Sequence, residues 1–150
     1  MKALLQRVTR ASVEVETDVI GRIDRGFVIL LGVAAEDTQR DADYLADKVL
    51  NLRVFSDEES KFNLSALQVA ADFLVISQFT LLADTKKGRR PSFTGAALPE
   101  QAEKIYDYFV NKLGESGLKV ATGKFGAHMV VTIVNDGPVT IMLDSKEKLP

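Results

Sequence analysis

The chain has 150 residues, 46% of them apolar and 27% charged, which fits one globular domain with a buried core and excludes a disordered segment. Its net charge of −2 gives no overall attraction to nucleic acid, so any such contact must come from a local basic patch. Cysteine is absent, which removes disulfides, thiolate metal sites and cysteine nucleophiles and agrees with a reducing cytoplasm.

No apolar run approaches the roughly 18 residues of a membrane span. Gln6, Arg7 and Arg10 interrupt the N-terminal apolar residues before a signal peptide can develop, so a cytoplasmic location and no membrane contact are expected. Residues 3–15 read as extended chain, because Ala11, Val13 and Val15 alternate with Ser12, Glu14 and Glu16. The alternation slips at Thr9-Arg10, where a bulge or bend fits. A short strand at 19–23, a hairpin turn at Asp24-Arg25-Gly26 and a continuous apolar run at 27–33 complete an expected three-stranded meander. That apolar run fits a strand buried on both faces.

Asp37 or Thr38 can cap a helix to Leu52, with Ala42, Leu45, Val49 and Leu52 on one face. A short strand at 53–55 and an exposed polar loop at 56–61 follow. Residues 73–76 form a strong buried strand that runs straight into Ser77-Gln78-Phe79-Thr80-Leu81. Residues 84–95 lack any period and read as a basic surface loop. Pro99 opens a second helix, its missing N–H falling in the first turn, and Ala102, Ile105, Tyr106, Phe109 and Leu113 make its buried stripe before Gly114 or Gly117 ends it. Leu118-Lys119-Val120 begins the last sheet segment, a turn at 123–128 follows, and two strands at 129–134 and 139–143 flank Asn135-Asp136-Gly137-Pro138. That tetrapeptide must turn, and the local reading is a hairpin loop; the alternative is a Gly-Pro unit presenting its backbone to something outside the sheet. A short charged tail occupies 145–150. The order predicts a single α+β domain over 1–150, an antiparallel sheet or half-open β-barrel packed against two helices.

The chemistry narrows quickly. One histidine and no cysteine cannot assemble the common zinc sites, and Asp and Glu fall mostly on helix faces and loops as solubilising charge, so no metal and no cofactor are expected, a carboxylate-only magnesium site being the alternative. A triad from Ser77, Thr80 and His128 lacks a Gly-x-Ser-x-Gly elbow, and no phosphate-binding glycine fingerprint is present. Lys86, Lys87, Arg89 and Arg90, with Phe93 nearby, could hold a phosphate backbone and stack a base, or form only a solvated loop. Ser77-Gln78-Phe79-Thr80 places polar side chains at the end of a buried strand, as at a pocket edge, unless the strand simply surfaces there.

Taken together, Gln6-Arg7-Val8 with Ala11-Ser12-Val13, Ser77-Gln78-Phe79-Thr80-Leu81, Gly88-Arg89-Arg90-Pro91-Ser92-Phe93, Phe125-Gly126-Ala127-His128-Met129 and Asn135-x-Gly137-Pro138-x-Thr140 resemble the D-aminoacyl-tRNA deacylase family of the D-Tyr-tRNA type. The resemblance spans essentially the whole chain. It implies a cytoplasmic homodimer, with active sites at the subunit interface, that hydrolyses the ester joining a D-amino acid to tRNA as a proofreading step. It further implies action on glycine mischarged onto tRNA-Ala. Ser77, Gln78, Phe79 and Thr80 would then form one wall of the site, with Phe125, Met129 and Ala102 around the terminal adenosine. Gly137 and Pro138 would be a Gly-cisPro motif that rejects L-amino acids in the partner's pocket, supported by Arg7 and Asn135. Lys86, Lys87, Arg89 and Arg90 would contact tRNA phosphates.

An aminoacyl ester is already activated, so positioning a water and stabilising the oxyanion can suffice. Thr80 is the candidate nucleophile, but no base adjoins it in sequence; the alternative is help from the substrate's ribose 2′-OH, and this is the reading preferred here. Two rivals stand beside it: a non-enzymatic RNA-binding β module using the basic loop, and a metal-independent esterase for small molecules.

Overall fold

The computed structural model describes residues 1–147. In chain order they form β1 (Lys2–Val15), β2 (Asp18–Ile23), β3 (Gly26–Gly32), α1 (Gln39–Asn51), β4 (Phe55–Ser56) and β5 (Phe62–Leu64). Then follow the one-turn α2 (Ala66–Val69), β6 (Asp72–Ser77), α3 (Pro99–Gly114), β7 (Val120–Thr122) and β8 (Val130–Asp144). Of the expected charged tail, Ser145–Glu147 make a 3-10 turn, and residues 148–150 lie outside the described residues.

The long first strand organises the sheet. One edge of β1 pairs with β8 along nearly its whole length, and the other pairs with β3 through residues 2–8 and with β2 through residues 11–15. β2 and β3 therefore follow one another along the same edge in the same direction, and the expected meander with a hairpin at Asp24-Arg25-Gly26 does not form. The reason is a competing partner. Asp24 N–H donates to Asp72 Oδ2 at 2.9 Å and the Arg25 carbonyl accepts from Asp72 N–H at 2.9 Å, so the corner is tied to β6 instead of closing on itself.

The expected slip in β1 is present, between Val8 and Arg10. An extra residue there reverses the parity of the strand. Ala3 and Leu5 point into the main core beneath the helices, whereas Val8, Ala11 and Val13 join a second apolar cluster inside the curled sheet. The continuous apolar runs serve both clusters at once: Phe27, Ile29, Phe73 and Val75 enter the first, Val28, Leu74 and Ile76 the second.

β3, β6 and β7 are joined by parallel ladders, each reached through a helical crossover, so the sheet is mixed. It curls until β2 touches β6 and β7, an incomplete barrel, and the α+β architecture of a half-open barrel on two long helices holds. Thr38, one of the two expected caps, is the N-cap of α1, and its N–H donates to Asp41 Oδ2 at 2.9 Å. The buried Met1 ammonium bonds Asp37 Oδ1 at 2.6 Å and Ser145 Oγ at 2.9 Å, fastening both ends of the described chain to the start of α1. Among the described residues no helix is long and apolar enough to cross a membrane.

Candidate active site

β6 delivers the site. Its last rung with β3 is the bond from Gln78 N–H to the Leu31 carbonyl at 2.8 Å, after which the backbone leaves the sheet and Phe79–Leu82 wind into a 3-10 turn. That turn lies directly on Gly32 at the end of β3. A Cβ at Gly32 would stand 2.5 Å from Leu82 Cδ2 and 3.0 Å from the Gln78 carbonyl oxygen, so glycine permits the close approach. Gln78 Nε2 donates to Thr80 Oγ1 across the turn. Phe79, 58% exposed, meets Phe93 edge-on with ring centroids 5.0 Å apart.

Beside this turn is a cavity of about 600 Å³, within the size range of small-ligand sites. One wall carries Ser77, Gln78 and Phe79; another is the start of α3, with Ala102 and Tyr106; a third is the 125–129 segment, with Phe125 and Met129. Tyr106, on α3, ties its wall to the other two. Its hydroxyl donates to the Val75 carbonyl at 2.7 Å and its ring lies 5.8 Å from that of Phe125. Burial, reinforced by the nearby Asp107 carboxylate, pushes the Tyr106 phenol well above its ordinary pKa, so it stays a donor.

Ser77, Gln78, Phe79, Ala102, Phe125 and Met129 are thus brought together, and Thr80 is joined to them through Gln78 while itself exposed at the rim. A second hollow of about 590 Å³ includes Asn51, Arg53, Asn63, Ser65 and Gln68. Its polar groups largely bond one another: Arg53 Nε reaches the Asn63 carbonyl at 2.8 Å, and Ser65 and Gln68 cap α2 reciprocally.

Arg7, Asn135, Gly137 and Pro138 form a separate group outside the cavity lining. Between Gln6–Thr140 and Val8–Asn135, β8 advances five positions while β1 advances two. The segment is a loop-out in a strand that continues in the same direction, and the expected hairpin is not what forms: both flanks pair with β1. Asn135 closes the loop, its Oδ1 accepting from Val139 N–H at 3.1 Å and its Nδ2 donating to Thr140 Oγ1 at 3.0 Å. Arg7, almost wholly buried, donates to the Asp136 carbonyl at 3.2 Å and the Val54 carbonyl at 2.7 Å, and its Nε lies 3.4 Å from the Asp136 carboxylate. Gly137-Pro138 is a cis peptide, and residues 136–138 are exposed.

Lys86, Lys87, Arg89 and Arg90 are all exposed on a loop closed at its base by the paired backbones of Asp84 and Ser92, at 2.7 and 2.9 Å. Phe93 connects that base to Phe79.

The family model described as D-Tyr-tRNA(Tyr) deacylase matches residues 4–144. The chain belongs to the D-Tyr-tRNA(Tyr) deacylase family. It is 56% identical over 149 residues to a D-aminoacyl-tRNA deacylase of Dehalococcoides mccartyi, covering 99% of this chain and 97% of that one. A D-aminoacyl-tRNA deacylase of Thermosipho africanus is 52% identical over 147 residues, with 98% and 99% covered. A solved structure described as c-Myc DNA unwinding element binding protein superposes with a TM-score of 0.90 at 47% identity, covering 96% of this chain and 98% of that one. This member of the deacylase family is accordingly an enzyme, a hydrolase.

Within this deacylase, sequence reasoning missed Gly32 and the bracing role of Tyr106. A glycine closing a buried apolar strand is a signal of close backbone approach that could have found the first. Tyr106 was legible only as part of a helical stripe, because its partner carbonyl belongs to another element.

Proposed function

We propose that the chain hydrolyses the ester between a D-amino acid and the terminal adenosine of tRNA, releasing both, as a proofreading step in the cytoplasm. The observation that carries this reading is the end of β6, which presents Ser77 and Gln78 to a cavity walled by Phe125 and Met129, in a chain of the deacylase family. A water attacks the ester carbonyl, a C–O bond to that water forms, the bond to the ribose 3′-oxygen breaks, and the proton passes to the leaving oxygen. Phe79 and Thr80 open the 3-10 turn, so their N–H groups have no carbonyl partner within it and are available to the developing oxyanion. The hydroxyl oxygen of Thr80 accepts from the Gln78 amide, which is no base, so Thr80 positions and does not attack. The neighbouring ribose 2′-OH assists in activating the water.

Selectivity is assigned to Gly137 and Pro138, whose main-chain atoms form a wall indifferent to the side chain that a D-residue carries. Since this loop is exposed and outside its own chain's cavity, it acts in the site of a second copy, which makes the enzyme a homodimer. Arg7 and Asn135 hold the loop, and Lys86, Lys87, Arg89 and Arg90 meet tRNA phosphates. Glycine mischarged onto tRNA-Ala, with no side chain to reject, is accepted by the same rule. The test is to follow loss of the aminoacyl group from D-Tyr-tRNA and L-Tyr-tRNA. Cleavage of the D form alone supports the reading. Salt-dependent binding of tRNA without cleavage of either form overturns it in favour of an RNA-binding module, and hydrolysis of simple esters alone favours a small-molecule esterase.

A further inference from the structure

We infer that Leu98 is a substrate-contacting residue, forming with Phe79 an apolar lip for the base of the nucleotide that precedes the esterified one; this rests on the deacylase reading above. Leu98 occupies the N-cap of α3 and makes no side-chain capping bond. Ser, Thr, Asp or Asn at such a position would bond one of the free first-turn N–H groups and stabilise the helix. Its side chain is also the most exposed of the large apolar residues described, at 76%. A lone exposed leucine needs no explanation. Here one position gives up a helix cap and places an apolar group in water, and departures from local rules of this kind gather at functional sites.

Its location says which function. Leu98 lines the cavity of about 600 Å³ whose mouth also carries Phe79, itself 58% exposed. A cavity of that size accommodates one aminoacylated nucleoside, so the rest of the RNA has to leave across the mouth. Charge selects the occupant. Lys86, Lys87, Arg89 and Arg90 are joined to the same rim through Phe93, which touches Phe79 at 5.0 Å. On the side of α3, Glu100 stands in the first turn, paired with Lys104 at 3.1 Å. That pair largely cancels while the loop carries four cations, so a phosphate backbone is drawn to the basic loop, which turns its bases toward Leu98 and Phe79. Packing of a base on such a platform is tolerant of sequence, as suits an enzyme that meets many tRNAs.

Leu98→Ser tests this without risk to the fold, because serine supplies the missing cap. The variant is expected to melt at or above the temperature of the unaltered protein. Its KM for D-Tyr-tRNA is expected to rise about fivefold or more with kcat held, the pattern of lost uniform binding, and Leu98→Met is expected to restore it. The D-tyrosyl ester of adenosine, which has no preceding nucleotide, is the reference substrate; the advantage of full-length tRNA over it should shrink in Leu98→Ser. Unchanged KM overturns the inference, as does an equal loss on both substrates, which would make Leu98 a wall of the cavity only. Dissociation of the oligomer in Leu98→Ser also overturns it, since the occupant would be a second copy of the chain. If the unaltered protein cleaves neither D-ester, the deacylase reading falls and this inference with it.

Discussion

Gly137→Ala tests whether the loop acts across two subunits. A Cβ built at Gly137 stands 2.8 Å from Val139 Cγ2 and 3.2 Å from both an Arg7 guanidinium nitrogen and the Val139 nitrogen, and the residue's φ is +127°. Side chains rarely adopt that backbone region, and holding one there costs about 1–3 kcal/mol. Against a typical domain stability of about 5–15 kcal/mol the subunit still folds, so the loop shifts and the grip of Arg7 on Asp136 loosens. Turnover of D-Tyr-tRNA by this variant is expected to fall. Gln78→Ala alters the other half of the proposed site, and the informative assay mixes the two impaired proteins under conditions that exchange subunits. In a mixed dimer one site then carries both lesions and the other carries none. With random exchange, about a quarter of the unaltered activity should return, as two-fold symmetry requires. Native mass spectrometry counts the mixed dimers. Mixed dimers that form without any gain over the parents would refute the trans arrangement.

Thr80→Ala is expected to keep substantial deacylase activity; complete loss of kcat with substrate binding intact would restore Thr80 as the nucleophile. Gly32→Ala should lower kcat about tenfold or more, because a shift of the reacting geometry on the order of 1 Å is enough and the crowded Gln78 carbonyl belongs to the turn itself; unaltered kcat would mean that the turn moves without consequence. Tyr106→Phe removes one of two donors to the buried Val75 carbonyl, which keeps the Gly123 N–H at 3.4 Å, and should destabilise the fold by about 0.5–1.5 kcal/mol in denaturant titrations. The Tyr106 phenol pKa is raised by folding above the ordinary 10.0, so the unfolded chain releases its proton first as pH rises. The native state then binds more protons, and stability is fully present below pH 10 and lost above it. Part of that alkaline loss should vanish in Tyr106→Phe, and an identical alkaline profile would contradict the assignment.

Much of this was open to the sequence, for identifiable reasons. The break in β1 was visible because period-two alternation fails wherever one residue is inserted, and both clusters of the core depend on that failure. The runs at 27–33 and 73–76 announced strands buried on both faces. That same property is the usual mark of parallel strands, so the parallel β3–β6 ladder was within reach of the pattern. Ser77 to Phe79 stood out as polar and aromatic residues at the end of such a run. The four residues Asn135 to Pro138 did not reveal their form. Turn chemistry states that the chain leaves the strand, and only the partner strand decides whether it comes back reversed or continues. Here β1 pairs with both flanks, a long-range fact that no local signal carries. The buried Arg7 fork was equally invisible, since its acceptors Val54 and Asp136 lie 47 and 129 positions away.

The separation of the two groups of proposed site residues bears directly on the proposal that a second copy takes part. β8 contributes Val131 to the cavity of its own chain and then runs on, paired with β1, to Asn135, where the loop begins. Four residues of extended strand cover about 13 Å, so the loop starts well beyond the cavity wall. Arg7, fixed by the Val54 carbonyl behind it, holds Asp136 near β1 and opposes any swing back along the strand. The proposed wall of Gly137 and Pro138 therefore lies outside its own chain's cavity and is exposed, as a contribution to a neighbour's site requires. On this reading one strand serves two sites, its first half lining the cavity that holds the ester and its loop closing the cavity opposite. Chiral discrimination would then depend on the dimer, while the polar end of β6 that positions the ester belongs to each subunit alone.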